Sequence, residues 1–321
     1  MLISARLTLK QHRFEVGAAV LAALVLGALA LIVDYRLRAI NVPGGCFEAW
    51  LSGGGADGAG DCSGPVQAFA AINEEEAGKV LAAMAVLPFV IGLLAGVPIV
   101  GRELESRTVQ TAWSLSGSRL RWLMRQLAPI AILAVVAVTF AALAANGLEA
   151  TRQPWYHSGF SDVTLHGPPV VGRAVGALGL GLLLGAWLGR TLPAFIVGAL
   201  VSLILVSSVS AMSSAWLDSQ KAVIPDVSSQ DPGTWAGIQM GSLWLAPDGT
   251  KITDDAAFAL VPSAEPDPYA WLHGQGYRDV LVGVPQDVAM GWATYDVLIF
   301  GLIGAASLGG AMLVVDRRRP T

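Results

Sequence analysis

The sequence predicts an all-α polytopic membrane protein with six transmembrane helices, and three observations carry that prediction. Of its 321 residues, 54% are hydrophobic and only 14% charged, far from the balance of soluble domains. Six runs are apolar over about the 20 residues that a helix needs to cross roughly 30 Å of hydrocarbon: 14–33, 79–100, 127–146, 170–188, 192–216 and 294–315. The few charges are also sorted, with arginine gathered in alternate connections.

The first run has the position of a signal peptide. At about 20 residues it exceeds an ordinary signal h-region, and Asp34-Tyr35-Arg36 stands where a small-residue cleavage site belongs. It is therefore read as a retained helix. Before it, Leu2, Ile3, Leu7 and Leu9 alternate with Arg6, Lys10 and Arg13, a pattern suited to the headgroup plane. Placing both termini inside puts Arg6, Lys10, Arg13, Arg102, Arg107, Arg119, Arg121, Arg125, Arg190 and the arginines 317–319 on one side. This is the positive-inside arrangement, and it predicts an N-in, C-in topology.

Cys46 and Cys62 fall in the first outer segment, 34–78. An even cysteine count in an oxidising compartment suggests a bridge, two free thiols being the alternative. Closing a loop of this length contributes about 3 kcal/mol on the chain-entropy account. The segment ends in Asn73 followed by Glu74, Glu75 and Glu76, which reads as an N-cap with carboxylates at the positive end of a helix; a cation site is the other reading.

Pro88 and Pro98 interrupt the second run and predict a bend. In the fourth, Gly172 and Gly176, then Gly181, Gly185 and Gly189, recur every four residues. Small residues at this spacing let helices approach closely, either within the chain or between two copies. The fifth run starts at Leu192-Pro193, with proline in the first turn. Its outer half carries Ser202, Ser207, Ser208, Ser210, Ser213 and Ser214. These hydroxyls either bond locally or line a weakly polar path, for which Pro88, Ser207, Ser210 and Ser214 are the candidates. Residues 217–292 form the longest non-membrane stretch, with seven prolines. Within it, 242–245 and 250–253 flank Ala246-Pro247-Asp248-Gly249 and predict a β-hairpin, and 279–290 is expected to form a short helix.

No G-x-x-x-x-G-K-[ST], H-E-x-x-H or G-x-S-x-G occurs, so neither a nucleotide site nor these hydrolytic centres are expected. His12, His157, His166 and His273 are scattered, without metal spacing. Charges are nearly missing from the span interiors, which disfavours an ion-coupled pump, whose relays need intramembrane ionisable groups. If the chain moves something, the energy comes from another protein.

The connection 101–126 is the most informative stretch. Gly101-Arg102-Glu103-Leu104-Glu105 closes the second run, Thr108 leads to Trp113-Ser114-Leu115-Ser116, and Ser118-Arg119-Leu120-Arg121-Trp122-Leu123 opens the third. This order resembles the ABC-2 type permeases of actinobacterial ABC exporters, which commonly show ARE-E…T…AWTQS-TR-RWL-KL here. Leu115-Ser116 stands where the family usually has glutamine-serine. The resemblance implies a permease subunit that dimerises and binds two copies of a separate ATPase. No cofactor is then expected in this chain, since ATP and Mg are bound by the partner. It assigns ATPase coupling to Arg102, Glu103, Leu104, Glu105, Arg107, Thr108, Val109 and Trp113. In residue terms, a short amphipathic helix over 104–116 presents Leu104, Val109 and Trp113 to a partner, and Glu103 can pair with Arg107 at i, i+4. The competing reading of the arginines is topology and anionic lipid, and it weighs most for Arg119, Arg121 and Arg125.

The expected organisation is a membrane domain over 1–216, an extracellular insertion over 217–292, and a sixth helix with a cytoplasmic tail over 293–321. The expected function is the non-catalytic permease subunit of an ATP-driven exporter for an amphipathic or hydrophobic substrate (drug, antimicrobial peptide or lipid). Its partners would be the ATPase, a second permease copy and membrane lipids, with no nucleic acid. The rival is a membrane-anchored ligand sensor that uses 217–292.

Overall fold

The computed structural model describes residues 8–43, 45–47, 62–108, 113, 118–152, 167–224, 237–262 and 267–318. In chain order the helices begin with α1 (Arg13–Ala39), α2 (Ser63–Ile72) and α3 (Gly78–Glu105), the last two joined by a π-helical turn, Asn73–Ala77. They continue with α4 (Arg119–Arg152), α5 (Pro168–Leu188) and α6 (Thr191–Ser219). A small domain follows: β1 (Ala222–Ile224), β2 (Gly237–Leu245), β3 (Lys251–Ile252), α7 (Asp254–Phe258), α8 (Pro268–Gly274) and β4 (Arg278–Pro285). The chain closes with α9 (Gln286–Arg317). Among the described residues six helices are long and apolar enough to cross a membrane: α1, the run Ser63–Glu105, α4, α5, α6 and Val288–Arg317.

The second of these starts earlier than the sequence suggests. Asn73 is not an N-cap: its φ of −63° and ψ of −46° are helical, and the chain passes through it from α2 into α3. A cap needs an extended residue before a fresh helix, and here there is none. Asn73 is instead fully buried and accepts from Arg152 Nε at 2.6 Å. Glu75 pairs with Lys79 and Glu76 with Arg36. Cys46 and Cys62 form a disulfide across a sequence separation of 16, tying the end of α1's connection to the start of α2.

α5 is the centre of the bundle, and glycine is the reason. It packs most extensively against α3 and α9. A Cβ on Gly179 would stand 2.5 Å from the Gly304 carbonyl, and one on Gly185 would stand 2.5 Å from that of Val97. Gly172 and Gly176 lie against Val297 and Phe300 of α9, and Gly181 lies against Leu93 and Val97 of α3. The small-residue stripe therefore serves contacts within the chain. Gly189 ends α5 at φ +63°, a left-handed cap that a side chain would oppose. α1, α6 and α9 are the outer helices, with Leu21, Ile32, Leu203, Ile204, Leu302 and Leu313 facing outward. Such apolar surface suits hydrocarbon rather than water.

The described chain is mostly helical, as expected, and the all-α expectation is corrected only in residues 217–292, where more strand forms than one hairpin. This insertion holds a four-stranded antiparallel sheet in the order β1-β4-β2-β3. The hairpin foreseen at Ala246-Pro247-Asp248-Gly249 is present: Trp244 pairs with Ile252, and Gly249 turns at φ +84°. Asp248 Oδ1 accepts from the Thr250 amide at 2.9 Å. The helix expected over 279–290 is not formed: Arg278–Pro285 is strand β4, and helix begins only at Gln286. Val280, Val282 and Val284 alternate along it, a β-branched period of two that favours strand. Trp244 centres a small core with Ala257 and Leu272, ringed by Phe258, Tyr269 and His273.

The few charges that the sequence leaves inside the apolar runs include a matched pair. Arg173 of α5 and Asp296 of α9 form an ion pair, with Asp296 fully buried. Each sits within an apolar run, and a charge pair at that depth is expensive unless fully matched.

Candidate functional site: the elbow at the end of α3

The last turn of α3 places three consecutive-face charges against three different parts of the chain. Arg102 Nη1 donates to Glu15 Oε1 of α1 at 2.9 Å. Glu103, 6% exposed, accepts from Gln11 of the short helical segment before α1 and from Thr108 beyond the turn. Glu105 Oε2 accepts from both the backbone amide and the hydroxyl of Thr191, at 3.1 and 2.7 Å. It thereby satisfies a donor at the start of α6 that a helix N-terminus otherwise leaves open. Charged hydrogen bonds are stronger than neutral ones, so this turn clasps α1, its leading segment and α6 together.

Immediately after it the chain reverses. Ser106 N bonds to the Arg102 carbonyl at 2.9 Å, and Arg107 takes φ +59°. A non-glycine residue there costs about 1–2 kcal/mol, held by the surrounding bonds. Among the described residues Arg107 makes no ion pair with Glu103, correcting the i, i+4 pairing. The left-handed turn carries Arg107 off the helix, and both Glu103 oxygens are already engaged. Arg107 and Thr108 are exposed.

Leu104 is half-buried against the main core. Trp113 is buried edge-on to Trp122 at 6.3 Å, with the Arg119 guanidinium 4.6 Å from its ring. Both side chains thus point into the protein here. Val109 and most of the helix expected over 104–116 lie outside the described residues. Arg119 also donates to the carbonyls of Asp316 and Arg318 at 2.8 Å, capping α9, while Arg318 donates to the Ala186 carbonyl of α5. Arg121 and Arg125 are exposed.

His12 is buried beside this turn, and neither ring nitrogen has a hydrogen-bond partner among the described residues. Burial holds its pKa below the ordinary value, Glu15 and Glu103 pull it up, and Arg102 opposes them. A cavity of about 420 Å³ opens on the other side, lined by Glu15, Pro98, Arg102, Glu105, Ser106, Thr191 and Phe195.

The proposed path residues are not brought to this cavity. Pro88 is buried within α3, whereas Ser207, Ser210 and Ser214 face outward on α6. Ser214 Oγ bonds back to the Ser210 carbonyl at 3.0 Å. Among the described residues no cluster of three His, Cys, Asp or Glu could hold a metal ion. Sequence reasoning missed Glu15, Gln11, His12 and Thr191. The partners of Glu15, Gln11 and Thr191 are 86 to 92 residues away, and only a lone carboxylate and imidazole at the mouth of an apolar run hinted at this cluster.

Among the described residues six helices are long and apolar enough to cross a membrane, five of them gathered around the glycine-rich α5, and this makes the chain a multi-pass membrane protein. Its sequence matches the family described as ABC-2 membrane transporter related over residues 16–214, more than half of the chain and nearly all of α1 to α6, and the chain belongs to that family. It is a membrane subunit of a transporter, of a kind that is generally non-catalytic and normally pairs with an ABC ATPase. Comparisons with curated proteins and with solved structures gave no match.

Proposed function

We propose that this chain is the permease subunit of an ATP-driven exporter and that the end of α3 is where a separate ATPase grips it. ATP and Mg would be bound by that ATPase. The observation that carries the reading is the clasp: Arg102, Glu103 and Glu105 link α3 to α1, to the segment before α1 and to α6. A push on the exposed Arg107–Thr108 turn therefore reaches three helices at once. The arginines gathered at this end support an N-in, C-in orientation by the positive-inside rule, with the sheet domain outside. The outward serines of α6, set among aliphatic residues and free of fixed charge, suit an amphipathic or hydrophobic substrate and contact with a second copy of the chain.

The test is reconstitution with the ATPase that co-purifies in mild detergent. Glu103→Ala combined with Arg107→Ala is expected to lower substrate-stimulated ATP turnover about tenfold, the size of one lost charged hydrogen bond, at unchanged protein level. Unchanged turnover would exclude coupling through this turn. A chain that purifies with no ATPase would argue against the whole assignment.

A further inference from the structure

We infer that the cavity between α1, α3 and α6 binds the headgroup of a phospholipid that carries a primary amine. The lining supplies the complementary chemistry. Two carboxylates, Glu15 and Glu105, face one guanidinium, Arg102, so the cavity carries a net negative charge and has both signs available. Glu15 gives one oxygen to Arg102, and its second oxygen, Oε2, is buried without a partner among the described residues. Glu105 commits Oε2 to Thr191. A primary ammonium offers three N–H donors to such oxygens, whereas a quaternary ammonium offers none.

The phosphate has a matching group. Arg102 uses Nη1 for Glu15, and a guanidinium has five donors in a fork that fits phosphate oxygens. Ser106 completes the rim, its hydroxyl held within the turn by Thr108 and the Glu103 carbonyl. Pro98 and Phe195 form the apolar wall, and Phe14, Leu192 and Ile196 lie exposed on the adjoining turns of α1 and α6. Acyl chains leaving the cavity would run along these side chains. The cavity also lies at the correct depth, at the C-terminal end of α3 and the N-terminal end of α6, where spans meet the headgroup layer. Its size, about 420 Å³, exceeds what one headgroup needs and falls in the range of small-molecule sites.

The inference requires only that these helices span a bilayer. Its failure would leave the exporter reading untouched, and failure of that reading would leave the lipid site standing. If correct, an amine lipid touches Arg102 and Glu105, two residues of the clasp, so membrane composition bears on the elbow directly.

The experiment reconstitutes the full chain in vesicles containing equal phosphatidylethanolamine, its monomethyl and dimethyl derivatives, phosphatidylcholine and phosphatidylglycerol. Lipid retained after extraction is then read by native mass spectrometry. Phosphatidylethanolamine is expected to be retained about tenfold over phosphatidylcholine, the effect of one charged hydrogen bond, with a stepwise decline as methyl groups replace N–H. Equal retention of the two would overturn the inference. Glu15→Gln with Glu105→Gln should abolish the preference without changing phosphatidylglycerol retention, and a preference that survives in this variant also overturns it. If the variant does not fold, the headgroup series on the unaltered chain decides alone. Excess soluble phosphoethanolamine should leave the bound lipid in place; displacement by it would reassign the site to a free amine and refute the lipid.

Discussion

Arg173 Nε and Nη2 donate side by side to Asp296 Oδ2 and Oδ1, each at 3.0 Å, across 123 residues of sequence and within the helical bundle. The paired, planar geometry is the one that best repays desolvation of two charges. Phe300 lies under the guanidinium, 5.7 Å from its carbon. The pair bolts the central helix, α5, to α9, the helix that leaves the sheet.

Breaking this pair should cost more than removing it. Asp296→Asn or Arg173→Met leaves one buried group uncompensated and is expected to destabilise the chain by about 3–5 kcal/mol. Replacing both, Arg173→Met with Asp296→Leu, should recover most of that. Thermal unfolding in detergent distinguishes the two outcomes; equal losses for the single and double variants would show that the pair does not act as a unit.

The α5 stripe predicts a position-specific intolerance. Gly185→Val places a branched side chain on the Val97 carbonyl and is expected to cost at least about 3 kcal/mol, the upper range for overpacking. Gly17→Ala on α1, where nothing lies within 4 Å, should be neutral or slightly stabilising. Detergent melting curves of the two variants provide the comparison.

Acid should loosen the segment before α1. Burial, the largest influence, keeps His12 below its ordinary pKa of 6.5 in the folded protein. The undocked segment therefore binds a proton more readily than the docked one between that lowered value and 6.5. Docking is fully supported above about 6.5 and is lost as pH falls through the folded value. Amide exchange at residues 8–12, corrected for intrinsic rates, should rise on acidification. His12→Gln should remove that pH dependence.

The sheet domain should respond in the opposite sense. Burial, reinforced by Asp254 and opposed by His273, raises the pKa of Asp279 above its ordinary 3.8, and its Oδ1 has no partner among the described residues. The folded domain thus holds the proton more readily than the unfolded one, so its stability falls as pH rises from about 3.8 through the raised value. Asp279→Asn is expected to slow amide exchange in β2 and β4 at neutral pH and to leave it nearly unchanged in acid.

Helix number and the hairpin were legible because both rest on local pattern: apolar length for the spans, and Ala246-Pro247-Asp248-Gly249 for the turn. Long-range pairing was not. Asn73 before three glutamates has every local mark of a cap, and only Arg152, brought alongside by α4, explains why it is helical and buried. Nothing local marks Arg173 and Asp296 as partners, because folding alone aligns them across 123 residues. The elbow shows the same limit. Residues 101–105 could be singled out from the sequence, but Glu15, Gln11 and Thr191 acquire meaning only as its partners. The valine alternation at 280, 282 and 284 is a local mark of strand that the helical expectation for 279–290 left out.

Strand β4 ends at Pro285 and α9 starts at Gln286, with no residue between them. The sheet is therefore mounted on α9 as a blade on its shaft, without a swivel. An antibody fragment raised against β2 or β4 would serve as a pointer on that shaft. Its angle to the particle in single-particle images would read out the tilt of a helix too slender to follow alone.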